Sequence, residues 1–289
     1  MIGTRAAISA GIAVLGLVVI LGPRSPDPSV ALGAERLVRE RATAAVAALD
    51  ALRAAVQPGL DAARTASAAV VSGDEAVSPR LDDAAALIAD AEPSVAPARR
   101  AVVALDAARS AWRPDAASVD EPIAAGELSS IAAQLAAVGP AADTFVDLRR
   151  RATGLPGVLE EALNALERRA LDEAAGLAAQ ARTDHDEIVA WETDLPTLPV
   201  WIETAEAMIA AVEQILEATR AGDDAAAREA AAAFAALADD AATADRALRI
   251  ALSEGGASLS AAPLERLAVA LRGIEASRTA AAALLDPGQ

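Results

Sequence analysis

The chain has 289 residues, 54% apolar, 23% charged and only 2% aromatic, with 25 basic against 42 acidic side chains and a formal net charge of −17. It contains no Cys, no Tyr and no Lys, a single His and a single Asn, and 83 alanines. Disulfide scaffolds, thiolate metal sites, cysteine nucleophiles, Schiff-base lysines and phosphate-loop lysines are therefore excluded, and an acidic chain poor in aromatics argues against a nucleic-acid partner.

The first element is apolar. Residues 6–22 (AAISAGIAVLGLVVILG) carry no charge and are bounded by Arg5 and by Pro23-Arg24. A spanning helix needs about 20 apolar residues, with about 17 as the lower limit, whereas a signal-peptide core is usually about 7–15. The nearest small-x-small triplets, Ser29-Val30-Ala31 and Ala31-Leu32-Gly33, lie behind Arg24 and three prolines, which suits cleavage poorly. The segment 1–22 is thus expected to be a membrane anchor, with a cleaved signal peptide as the alternative; a buried core helix would rarely begin at residue 6 with no polar face. The amino terminus and Arg5 on one side, against Arg24 and Asp27 on the other, favour a cytoplasmic N-terminus. The lipid bilayer is then the first expected partner. The bulk of the chain would be extracytoplasmic at the cell membrane, or secreted if the segment is cleaved. No second apolar run reaches spanning length, and without Cys no lipid is attached through a thiol.

Residues 23–33 form a Pro-rich linker, stiffened by Pro23, Pro26 and Pro28. Beyond it the apolar spacing becomes helical. Val38, Ala42, Ala45, Leu49, Leu52 and Val56 recur at steps of four and three, the pattern of a coiled-coil-like stripe. Ser72-Gly73-Asp74 breaks the run. A second stripe, Leu81 through Ile88, Val95 and Leu105 to Trp112, keeps its phase across Pro93 and Pro97 and predicts a helix kinked there, with disorder as the alternative. A third runs from Leu128 through Leu135 and Phe145 to Leu148, in phase across Gly139-Pro140. Gly154-Leu155-Pro156-Gly157 is the clearest break in the chain and the expected boundary between two halves.

Stripes then follow from Leu159 to Ile188, from Trp201 to Ile215, from Ala227 to Leu248 and from Leu264 to Leu284. No segment alternates with period two, so no strand is expected. The fold class is all-α: long antiparallel helices in an elongated bundle, with a first bundle over 34–153 and a second over 157–286. A Gly/acidic signature at Gly73-Asp74, Gly126-Glu127, Leu171-Asp172-Glu173 and Gly222-Asp223-Asp224, spaced near 50 residues, fits one helical hairpin per repeat. Alternatively, three helices before Gly154 and three or four after it resemble, in layout, tandem three-helix bundles of the spectrin type. No diagnostic motif of the spectrin or tetratricopeptide families is present.

Candidate chemistry is sparse. His185 falls on or beside an apolar stripe, between Ala181 and Ile188, within Asp184-His185-Asp186-Glu187. A ferritin-like site needs Glu-x-x-His on two helices, but Arg182 stands three before His185 and there is no second His. A solvated or edge-packed histidine is expected, with no metal and no other cofactor. The acidic pairs Asp82-Asp83, Glu160-Glu161, Asp223-Asp224 and Asp239-Asp240 are adjacent residues, which on a helix point about 100° apart and do not converge. They are expected to be solvated or to cap helices. Arg149-Arg150-Arg151 and Arg168-Arg169 are expected to pair with acids on their own helices. No nucleophile-elbow, zincin, dinucleotide or phosphate-loop motif occurs, so no catalytic residue is assigned and no enzyme is expected. Trp191 and Trp201 flank Pro196 and Pro199. They are expected to fill the core at a kink or, as the sharper reading, to form an exposed pair contacting an unidentified protein partner. The expectation is a non-catalytic scaffold or interaction protein of the cell envelope; a sensory or ligand-binding ectodomain and a secreted binding module are the alternatives.

Overall fold

The stripe that begins at Val38 is the inner face of one long helix. Val38, Ala42, Ala45, Leu49, Leu52 and Val56 are all shielded from solvent, and they lie on α1, Pro28–Ser72. The computed structural model of the chain describes residues 28–73, 77–112, 117–191 and 195–285. The apolar run 6–22 lies outside them. The described residues form α2 (Val77–Ala91), α3 (Val95–Trp112), α4 (Glu127–Glu167), α5 (Leu171–Val189), α6 (Leu198–Ala221), α7 (Asp224–Leu259) and α8 (Ala261–Ala283). The chain is all-helical, with no strand among the described residues. Among the same residues no helix is long and apolar enough to cross a membrane.

The linker expected over 23–33 is shorter than its composition suggests, because residues 28–33 already belong to α1. Proline at the first helical position lacks only an N–H that would have had no partner there. The Gly/acidic signatures mark helix starts: α2, α4, α5 and α7 open at or just after them. Gly126 and Gly222 sit at φ of 79° and 72° in these turns, a conformation that glycine adopts without a Cβ clash. Asp223 then caps α7 by accepting from the N–H groups of Ala225 and Ala226 at 3.1 and 3.0 Å.

Proline acts differently at different places. At Pro93 the expected kink is a full break, with the 3₁₀ turn Glu92–Ser94 separating α2 from α3, and Pro97 falls in the first turn of α3. At Gly154–Gly157 the expected break does not occur, and α4 runs unbroken through it, with Pro140 and Pro156 inside. An interior proline costs about 3 kcal/mol. Ala152, Leu155, Leu159 and Ala162 bury one continuous face across Pro156, and large buried side chains gain about 1.5–3 kcal/mol each. The local penalty is outweighed.

The buried side chains fall into two clusters, and they do not divide the chain at residue 154. One combines α1, α2, α3, the first half of α4 and α8. The other combines the second half of α4 with α5, α6 and α7. The expected second bundle, 157–286, therefore does not hold together as read: α8 returns to pack along α1, with Arg53 pairing Glu275 at 3.0 Å and Arg278 pairing Asp50. Leu267 and Ile274 supply the apolar side of that contact. The clusters meet where Arg149 on α4 donates to the Val71 carbonyl at the end of α1 and to Ser253 Oγ on α7 at 3.3 Å. There α7 crosses α4 so closely that a Cβ on Gly255 would stand 2.7 Å from the Phe145 ring.

Candidate functional site

Ion pairs converge along the seam between α4, α5 and α6. Arg182 on α5 reaches across to Glu206 and Glu213 on α6, two positions seven apart and so on one face. Those hydrogen bonds, Glu206 first, push the Arg182 guanidinium further above its ordinary range than its desolvation pulls it down. The same contact holds the Glu206 carboxyl below its ordinary value. On the other side of α5, Arg151 of α4 contacts Asp147 at 2.9 Å, Asp184 at 2.7 Å and Glu187 at 2.6 Å. Its hydrogen bond to Asp147 is the main cause that raises its affinity for the proton.

His185 lies inside this seam and is only 4% exposed. The sequence placed it on or beside the stripe, solvated or edge-packed; the solvated reading is corrected, since the ring belongs to the buried face between Ala181 and Ile188. Nε2 stands 3.2 Å from the Ile202 carbonyl, which can only accept, so Nε2 carries the hydrogen. Nδ1 faces the carboxylates of Asp186 at 3.4 Å and Glu206 at 3.5 Å. The arrangement ties α5 to the first turns of α6, with Nε2 committed to a backbone carbonyl rather than to a nucleophile. Among the described residues no three His, Asp or Glu side chains are grouped to hold a metal ion.

The two tryptophans are brought into one apolar cluster, but not as an exposed pair. Trp201 is 3% exposed and packs in the second core beside Leu155, Leu159 and Met208, so it is closed to a partner in this conformation. Trp191 is half-buried against the same cluster at the end of α5. The acidic pairs at 82–83, 160–161, 223–224 and 239–240 are all exposed. Within the arginine runs, Arg150 and Arg151 pair with Asp147 and Arg168 with Glu173, whereas Arg149 caps the end of α1. The seam was missed in the sequence because Arg182 and Glu213 are 31 residues apart and join only through the α5–α6 packing. No protein-family model, curated protein or solved structure matches the chain.

Proposed function

We propose that the chain is a single-pass, membrane-anchored helical scaffold, non-catalytic, with residues 28 onward outside the cytoplasm. The observation that carries this reading is the end-to-end arrangement of its helices. Five residues separate the uncharged run 6–22 from the start of α1, and α4 continues past the far end of α1 into a second cluster of helices. Such a layout holds the turns at 168–170 and 222–223 far from the start of α1 and provides a long lateral surface for an envelope partner. The bilayer is the first partner, through residues 6–22.

The test is the state of the N-terminus in the native host. Intact mass should retain residues 1–22, and the protein should stay with membranes through alkaline carbonate while protease added outside the cell degrades it. A mature N-terminus near residue 32, with the protein in the medium, would replace this reading with the secreted binding module. A second reading, a ligand-binding ectodomain on the same anchor, is favoured by the cleft described next.

A further inference from the structure

The loop between α3 and α4 and the outward face of α8 flank an open cleft of about 490 Å³. Its walls are Pro122, Ile123 and Ala124 from the loop, and Ala262, Val269 and Ala270 from α8. Small-molecule sites commonly enclose about 300–1,000 Å³ within mostly apolar walls and a few polar groups at the edge. The polar groups here are Glu127, Glu265 and Arg266.

The loop wall is fixed at several points along its length. The N–H of Val119 donates to Asp106 at 3.3 Å, and Arg99 pairs with Glu121 at 2.7 Å. Ser277 Oγ on α8 donates to the Asp120 carbonyl at 2.9 Å. At the other end, the Glu92 carboxylate accepts from the N–H groups of Gly126 and Ser129 at 2.7 and 3.2 Å, holding the start of α4. Gly273 lets α8 approach until a Cβ there would stand 2.7 Å from the Pro122 carbonyl oxygen. A wall tied down in this way needs little ordering when a ligand enters.

Val269 is 53% exposed, a large apolar side chain that the fold leaves uncovered in the cleft. Charge selects what covers it. Arg266 and Glu127 neutralise one another at 2.7 Å, while Glu265 has no ion pair among the described residues. The cleft mouth thus carries one net negative charge, on a chain whose formal charge is −17. We propose that this cleft binds a small apolar molecule bearing one cationic group, its body against Ile123 and Val269 and its charge at Glu265. The proposal does not depend on membrane anchoring.

Three probes of one shape test it: 1-adamantylamine, 1-adamantanol and 1-adamantanecarboxylate, titrated calorimetrically at neutral pH into the full chain in detergent. Val269→Lys, prepared identically, blocks the cleft with a cation and supplies the baseline for uptake by the micelle. The amine should bind at a single site, with the alcohol about two- to fivefold weaker, the range of one exposed charge contact, and the carboxylate at baseline. Glu265→Gln should bring the amine down to the alcohol's affinity, with the helical circular dichroism and melting of both variants unchanged. Amine binding that survives Val269→Lys would overturn the proposal. So would equal affinity for amine and carboxylate, an amine preference that persists in Glu265→Gln, or no binding by any of the three probes.

Discussion

At the scale of single residues, an alanine-lined core is limited by volume more than by polarity. Ala45 and Leu49 are neighbours on α1 and both are fully buried, so changes of opposite sign should both destabilise. Leu49→Ala removes buried methylenes and leaves a cavity, with an expected loss of about 2–5 kcal/mol. Ala45→Leu forces extra volume between closely approaching helices, with an expected loss of about 1–3 kcal/mol. Urea midpoints at constant slope would check both; an Ala45→Leu protein as stable as the parent would mean that the stripe is loosely packed. Glu206 offers a pH test. Its carboxyl is held below the ordinary value of 4.5, first by the hydrogen bond from Arg182, then by the charges of Arg182 and His185, against desolvation. A lowered folded value means that the contribution is fully present above about pH 4.5 and shrinks as pH falls below it. Glu206→Gln should therefore cost stability at pH 7, and the gap to the parent should close in acid. The side chain is 48% exposed, so the gap should stay under about 1 kcal/mol. A gap that widens in acid would assign the wrong group.

At the scale of elements, the glycines separate positions where the backbone is merely weakened from those where close approach requires them. Gly154 and Gly176 lie inside α4 and α5 with nothing within 4 Å of an added Cβ. Substituting alanine should stabilise by about 0.5–1 kcal/mol at each. At Gly273 the Pro122 carbonyl stands in the way, so the same change should destabilise, and thermal melts of the three variants would order them. The same contrast explains what was legible beforehand. The stripes along α1, α2 and α3 were readable because period is a local property, and every stripe position from Val38 to Val56 is buried. The continuity of α4 was not readable: Gly154-Leu155-Pro156-Gly157 carries every local signal of a break, and only the burial of Leu155 and Leu159 against distant helices overrides it. The placement of α8 was equally hidden, since Arg53 and Glu275 are 222 residues apart and nothing near either names the other. The cleft shares that history, with one wall from a loop and the other from the last helix. Trp201 opens a stripe and is buried as the core-filling reading expected, whereas the acidic neighbours of His185 masked how deeply that ring is buried.

At the scale of the whole molecule, helix lengths set the dimensions that a spacer would need. α1 has 45 residues and is about 68 Å long at 1.5 Å per residue. Arg149 holds α4 against the end of α1, so residues 150–167 project about 27 Å further. The described residues should thus extend about 95 Å, and a uniform rod of that length has a radius of gyration of about 27 Å. A compact chain of 289 residues would give about 19 Å. Small-angle neutron scattering on the full chain, with the detergent contrast-matched, distinguishes these values without reference to any partner. A value of about 27 Å or more, because residues 1–27 add to the scattering chain, supports a spacer whose far end stands clear of the bilayer. A value near 19 Å would mean that the second cluster folds back along the first, and the scaffold reading would lose the geometry on which it rests. Arg149→Ala sharpens the test, because it releases the contact that joins α1, α4 and α7 at one point. If that contact sets the alignment of the two clusters, the variant should keep its helix content while its radius of gyration falls and its scattering fits a mixture of bent forms. An unchanged profile would assign the alignment to the unbroken α4 and to the close crossing of α7 rather than to Arg149.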